Sequence, residues 1–415
     1  GREALDIKWH ESEHQSYNSE EYKKALANSC DNPAKTLRSK GNVDKALVDA
    51  KQVITASYYV PELIHVPMEP PAAAAHFHDG IFDIWACTQT PQSAQGTVAQ
   101  ILGVAPEKVN INVTLLGGGF GRKSKPDFVV EAALLSKQLN VPIKVMWTRE
   151  DEVKNGYYHA VSYQKLVAGI DENNQVTAWQ HHVAEPPIGS TFSKGADLIG
   201  SEASLGFIDM PYDIANVSCA IGKAPAHTRI GWMRSVTNIN HVFAISSFID
   251  ELAQAKGVDS KDNLIAMLGA DRKIDFAKEN ADYSNYGETL DTARMKAVIE
   301  RVSKMAKWGR KLPKGHGLGI AMHRSFVSYV ACIVEVSENS DGKIKVDDVW
   351  MAVDCGLAVN PERIRSQMEG AAIFALSLTF FSELTAKNGV IEQNNFDSYQ
   401  VDRIADAPTT HVEII

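Results

Sequence analysis

The 415 residues are 44% hydrophobic and 22% charged, with 42 Lys and Arg against 51 Asp and Glu, and a formal net charge of −9. A chain of this length can fold as two or three domains with sizeable cores, and its acidic balance argues against nucleic acid or an anionic membrane surface as the main partner. No apolar run approaches the roughly 20 residues that a membrane helix needs, so no transmembrane segment is expected.

Residues 1–50 are charged and helix-leaning, with a capped start at Ser19-Glu20-Glu21, and read as an N-terminal connector without a site. The chain opens on Gly1-Arg2-Glu3 and closes on the strand-like His411–Ile415, and both ends are expected to be cut from something longer. From Val53 strands take over, at Val53–Val60 and Ile81–Cys87. Between them Pro67 and Pro70 flank Glu69 in a fixed loop. Glu69 is either a site carboxylate or, the structural reading, an acceptor for backbone N–H groups. Thr88-Gln89-Thr90-Pro91 closes the second strand before a helix at Gln95–Leu102. Gln89 offers a ligand both a donor and an acceptor, or is a solvated loop residue.

The alternation Val109-Asn110-Ile111-Asn112-Val113 predicts a strand running into Gly117-Gly118-Gly119-Phe120-Gly121-Arg122-Lys123. Pro126 then opens a helix, with Phe128, Val129, Ala132, Ala133, Leu135 and Leu139 at helical spacing. Four glycines between strand and helix allow positive φ and close approach of a ligand. The loop N–H groups and the helix N-terminus suit a phosphate, with Arg122 and Lys123 adding charge. The alternative is a tight turn that only permits packing. The dinucleotide pattern fails because Lys123 holds the last glycine position, and the P-loop pattern fails for want of Gly-Lys-Ser/Thr.

Further on, Ile143–Trp147 reads as a strand before a turn at Arg149–Glu152, and Ser162–Ile170 with Val176–Val183 as a hairpin about Asp171–Asn174. His181 and His182 are adjacent on a strand and face opposite ways, so neither is taken as a metal ligand. A strand at Asn216–Ala220 precedes Met233-Arg234-Ser235-Val236-Thr237 and a long helix. Arg234 is either a surface arginine or a fixed donor for an anion. Residues 261–312 form a charged helical linker, followed by a hairpin of Ser328–Val336 and Lys343–Val353, then Asp354-Cys355-Gly356, a helix from Glu362 and a turn at Lys387-Asn388-Gly389. The five cysteines, Cys30, Cys87, Cys219, Cys332 and Cys355, form no CxxC pair and read as small buried hydrophobes. The expected fold class is α+β, in two similar-sized mixed α/β units: 51–260 and 313–415.

Taken together, Thr88–Pro91, Gly117–Arg122, Met233–Val236 and Val353–Gly356 through Asn360-Pro361 to Gln367, Glu369 and Gly370 resemble the molybdenum-binding large subunit of the xanthine oxidase family of molybdenum hydroxylases, in its isoquinoline 1-oxidoreductase β-subunit-like branch. The resemblance spans essentially the whole chain. It implies a molybdopterin cytosine dinucleotide cofactor carrying molybdenum, with no direct protein ligand to the metal. Gln89 matches the residue that bonds the metal's oxo group, Gly118, Gly119 and Gly121 match the backbone packed on the cofactor, Phe120 faces substrate, and Arg234 orients it. Val236 stands where purine-oxidising relatives carry a stacking aromatic, which turns the expectation toward N-heterocycles or aldehydes.

The implied reaction is hydroxylation with water as oxygen source, a glutamate serving as general base on a metal-bound hydroxide. Electrons would leave through a small 2Fe-2S subunit, since this chain has no cysteine cluster for one, and on to a cytochrome c acceptor. The family's Gly-x-Gly-Glu base segment is missing: Tyr286-Gly287-Glu288 lies in the linker and Glu69 is no replacement. The Met-Gly-Gln-Gly element is also missing, so the chain is expected to be an inactive, metal-free fragment. The resemblance favours a periplasmic over a cytoplasmic location. Two alternatives stand beside this reading: an aldehyde dehydrogenase of the same cofactor class, and a non-catalytic phosphate-binding domain.

Overall fold

Alternating apolar residues, spaced to bury one face, build three larger sheets in this computed structural model, which describes residues 4–8, 10, 12–279, 289–338 and 341–415. Tyr286-Gly287-Glu288 therefore lies outside the described residues. The sheet that carries the glycine loop has the order Val109–Val113, Ile81–Ala86, Ala72–His78, Ile143–Met146. Its first pair is parallel and the others antiparallel. The period of two sends Phe82 and Ile84 inward, while Trp85 remains 45% exposed. Helices Pro91–Leu102 and Asp127–Leu139 cover the inner face with Val98, Phe128, Val129, Ala132 and Ala133.

The second sheet runs Lys35–Lys40, Asn216–Ile221, Val176–Ala184, Ser162–Ile170, Gln52–Val60, and the third His316–Ser325, Ser328–Glu338, Ile344–Asp354, Thr409–Ile414. Helices Asn238–Lys256 and Thr292–Met305 lie between these two sheets in one core that holds Trp179, Phe248, Met295, Ile333 and Ala352. Residues placed in separate units on sequence grounds thus share their largest apolar cluster. The helix Pro361–Phe380 packs on the other side of the third sheet through Ala372, against Val346, Val349 and Met351.

Three local expectations change. Residues 1–50 are more than a connector, because Lys35–Lys40 closes the second sheet and Ser19–Asp31 buries Tyr22, Leu26 and Cys30. That strand was hidden by its polarity: Arg38 is buried, and its guanidinium donates to the carbonyls of Ile208 and Met210 at 3.0 and 3.1 Å. Ala72–His78, expected in part as loop, is a strand paired on both sides, and that pairing overrides the weak strand preference of its alanines. Arg149–Asn155 is a helix with a Thr148–Asp151 capping box instead of a turn. The helix after the glycine loop begins at Asp127 with Pro126 as its N-cap, as expected, beyond a 3-10 turn at Arg122–Ser124.

His181 bonds Gln164 Oε1 at 2.8 Å and His182 bonds the Cys30 carbonyl at 2.7 Å, on opposite sides of their strand. Among the described residues no group of three His, Cys, Asp or Glu could hold a metal ion, and no helix is long and apolar enough to cross a membrane. Phe248 is fully buried against Trp179, with ring centroids 5.3 Å apart. Phe248→Ala should destabilise the shared core by about 3–5 kcal/mol, read from the denaturant midpoint and slope.

Candidate cofactor site

The site grows from the end of the strand Ile81–Ala86. Gln89 N–H donates to the Lys123 carbonyl at 3.0 Å, and Thr88 Oγ1 donates to the same oxygen at 3.2 Å. These two bonds fasten the strand exit to the segment following the glycines. Gln89 Oε1 then accepts the Gly121 N–H at 3.0 Å. With its oxygen engaged, the side chain keeps its NH2 as a donor.

Space explains the glycines. A Cβ on Gly119 would lie 2.5 Å from Gln89 Oε1, and one on Gly121 would lie 1.8 Å from the Trp232 carbonyl oxygen. Gly121 also has φ +104, a conformation that favours glycine. Phe120, Ser235 and Val236 take φ of 52, 71 and 54 without being glycines, and such outliers gather where structure is held for function. His65 is buried and pushed down to about pH 3 by burial, against a smaller opposing effect of its bond to Trp232. It is therefore neutral, and its Nε2 donates to the Trp232 carbonyl at 2.6 Å. The oxygen against which Gly121 packs is fixed from the other side.

Arg234 follows two residues after Trp232. Its N–H donates to the Phe120 carbonyl at 2.9 Å, and its guanidinium donates to the Gln367 carbonyl and Oε1 at 2.6 and 3.1 Å. Burial lowers the Arg234 pKa. Phe120 and Phe374 pack with ring centroids 5.1 Å apart, and the Arg234 guanidinium lies 5.9 Å from the Phe374 centroid. Gln367 and Phe374 are seven apart on the helix Pro361–Phe380, hence on one face. Phe374 was missed from sequence, although its spacing from Gln367 was a usable signal.

Arg122 and Lys123 are not charges offered to a ligand. Both side chains are fully buried; Arg122 makes a two-pronged pair with Asp127 at 3.0 and 2.9 Å, and Lys123 donates to Glu69 Oε2 at 2.6 Å. Glu69 Oε2 also accepts the Gly117 N–H at 2.9 Å. Burial raises the Glu69 pKa, but Lys123 and the Gly117 N–H outweigh it and the net shift is downward. Asp354 pairs with Arg294 through two bonds of 2.7 Å and accepts the Gly356 N–H at 3.1 Å, so of the two it is Gln367 that bonds Arg234.

Gln89, Gly118–Gly121 and Arg234 are thus brought together, and Gln367 and Phe374 join them. Among the described residues no acceptor takes the N–H of Gly118, Gly119 or Phe120. Three successive free donors, a glutamine NH2 and a guanidinium form a donor set without a metal-ligating side chain. That set fits an oxygen-rich, anionic pterin-type group bound through hydrogen bonds.

A family model described as "Molybdopterin cofactor-binding domain" matches residues 28–262, and a second with the same description matches 251–408. The chain is 28% identical to isoquinoline 1-oxidoreductase subunit beta of Brevundimonas diminuta, over 84% of this chain and 43% of that protein. It is also 28% identical to a membrane-bound aldehyde dehydrogenase (pyrroloquinoline-quinone) of Gluconacetobacter polyoxogenes, over 90% of this chain and 49% of that protein. The chain therefore spans less than half the length of these relatives. Among solved structures, quinoline 2-oxidoreductase of Pseudomonas putida 86 superposes with a TM-score of 0.70 at 13% identity, covering 93% of this chain and 72% of that one. Aldehyde oxidoreductase of Desulfovibrio gigas does so with 0.71 at 12%, covering 92% and 58%.

Two outcomes test the geometry. Gly121→Ala should lower the melting temperature sharply, because the new Cβ meets a backbone carbonyl that His65 holds in place; an unchanged melt would refute the packing. Glu69→Gln should cost stability at pH 7. Because the folded Glu69 pKa is depressed, that contribution is fully present above the ordinary carboxylate pKa, about 4, and is lost as pH falls from there through the lower folded pKa. Urea midpoints of the two proteins should therefore differ at pH 7 and draw together as pH falls through the depressed folded pKa.

Proposed function

The chain belongs to the molybdopterin cofactor-binding family, and from that premise we propose that it is the cofactor-binding part of an oxidoreductase that hydroxylates N-heterocycles with water as oxygen source. One set of observations carries this reading: the N–H groups of Gly118, Gly119 and Phe120 find no acceptor among the described residues, Gln89 takes the Gly121 N–H, and the Arg234 N–H reaches the Phe120 carbonyl. The cofactor proposed is the cytosine dinucleotide form of molybdopterin.

When bound, the molybdenum-pterin group supplies the two-electron redox chemistry. The residues of the chain bind, orient and exclude water. Gly118 to Phe120 donate to anionic oxygens, and the Gln89 NH2 donates to an oxygen of the cofactor. Arg234, steadied by Gln367, presents its guanidinium to an electronegative atom of the substrate. Phe120 and Phe374 form an apolar wall beside it. Glu69 is engaged by two donors and its proton affinity is lowered, so it is not assigned the role of base. The absence of an aromatic side chain at Val236 favours flat N-heterocycles other than purines. Similarity to a protein named as an aldehyde dehydrogenase supports aldehydes as the second substrate class. A small 2Fe-2S subunit, a cytochrome c acceptor and a periplasmic location complete the proposal.

The full-length protein should contain molybdenum and release a cytosine nucleotide on acid treatment. Lack of both would leave the phosphate-binding alternative in possession of the glycine loop. With metal present, turnover of quinoline-type heterocycles against aldehydes decides the substrate class. Gln89→Ala should keep the fold, by circular dichroism, and lower turnover by on the order of 100-fold; unchanged turnover would remove Gln89 from the site.

A further inference from the structure

Three cations follow the glycine loop within four residues, and they are not equivalent. Arg122 and Lys123 are each neutralised by a carboxylate. Lys125 is 5% exposed, yet its Nζ is buried with no hydrogen-bond partner among the described residues. Its surroundings are aromatic: Nζ lies 4.0 Å from the ring centroid of Trp232, 4.3 Å from that of Phe192 and 5.2 Å from that of Tyr157.

Aromatic faces stabilise an ammonium through their quadrupole but accept none of its three N–H bonds in the way an oxygen does. The charge is kept while the donors remain available. Burial lowers the Lys125 pKa to about 8, with Asp127 opposing and Arg122 reinforcing, so the amine is still mostly protonated at neutral pH. The ring that caps Lys125 belongs to Trp232, whose carbonyl packs on Gly121, so the ammonium belongs to the same junction as the free N–H donors. Phe192, by contrast, is 68% exposed and follows a short 3-10 turn at Ile188–Thr191. Desolvated cation–π contacts and charge-assisted hydrogen bonds are of the same order, so exchanging the Phe192 ring for an anionic oxygen costs little.

We propose that Lys125 is a phosphate-binding residue beside the glycine loop, held in reserve by Trp232 and Phe192, with Phe192 as the ring that moves aside when a phosphate group binds. The inference rests on the cofactor reading above for where the phosphate comes from: the phosphate of the pterin cofactor, or a free phosphate compound.

The test uses the full-length protein and its Lys125→Met and Phe192→Ala variants. Methionine fills the aromatic cage without charge. Pyrophosphate binding to cofactor-free protein is measured by calorimetry, and molybdenum and acid-released phosphate are measured in protein as purified. Lys125→Met should weaken pyrophosphate binding at least tenfold, while Phe192→Ala should tighten it several-fold because the ring no longer has to move. Loss of molybdenum and bound phosphate alongside pyrophosphate affinity in Lys125→Met assigns the site to the cofactor; lost affinity with molybdenum retained assigns it to free phosphate. Equal pyrophosphate binding in wild type and Lys125→Met, or none in wild type, overturns the inference even if molybdenum is retained and the cofactor reading stands. Wild type without molybdenum overturns the cofactor reading, while the pyrophosphate comparison still decides the role of Lys125. Should Lys125→Met fail to fold, Phe192→Ala decides: unchanged affinity there refutes the reserve arrangement.

Discussion

The contact between Gly121 and the Trp232 carbonyl is the point on which the site depends. No other residue fits there, because a Cβ would fall 1.8 Å from that oxygen. The close approach brings two segments more than a hundred residues apart into register, so that the Arg234 N–H can reach the Phe120 carbonyl. On one side the Gly121 N–H is taken by Gln89, and on the other His65 holds the carbonyl. A loop with four glycines would cost conformational entropy to order. Here the cost is offset by bonds made at both of its ends, including those of Glu69 to Gly117 and Lys123.

Electrostatics around the loop follow from burial. A fully buried cation without a partner is strongly destabilising, and two of the three cations after the glycines have a carboxylate within 3 Å. Their function is structural: Arg122 lies between the rings of Trp147 and Tyr157, with Asp127 at its fork. What remains for an anionic ligand is main-chain N–H, the Gln89 amide, the Arg234 guanidinium and the Lys125 ammonium, which has no carboxylate partner among the described residues. Arg122 and Lys123 thus leave the backbone N–H groups of the loop as its own donors.

The same site draws on the second half of the chain. Gln367 and Phe374 come from the helix Pro361–Phe380, which buries a single residue, Ala372, and so depends on its contacts for its position. The third sheet under that helix shares its opposite face with helix Thr292–Met305 and, through it, with the core around Trp179 and Phe248. Packing thus links this large core, through the third sheet, to the helix that carries Gln367.

Much of the chain is legible by period alone. The helix Thr292–Met305, the hairpin about Asp171–Asn174 and the strand Val109–Val113 each carry an apolar repeat that matches their final form. The strand Lys35–Lys40 is not legible, since a partner distant in sequence makes it a strand; Ala72–His78 is not legible because its alanines carry little strand preference, although its hairpin partner Ile81–Ala86 follows directly. The residues of the site could be named through a family resemblance, which reads order and type along the chain. Their arrangement could not: that Arg122 and Lys123 are spent on Asp127 and Glu69, that Trp232 is the partner of Gly121, and that Phe374 stands against Phe120 are all facts of close approach. Sequence determined which residues have the donors and the conformational freedom. Tertiary packing decided which donors are left free, because only burial sets which charges must be paired and which N–H groups find no acceptor.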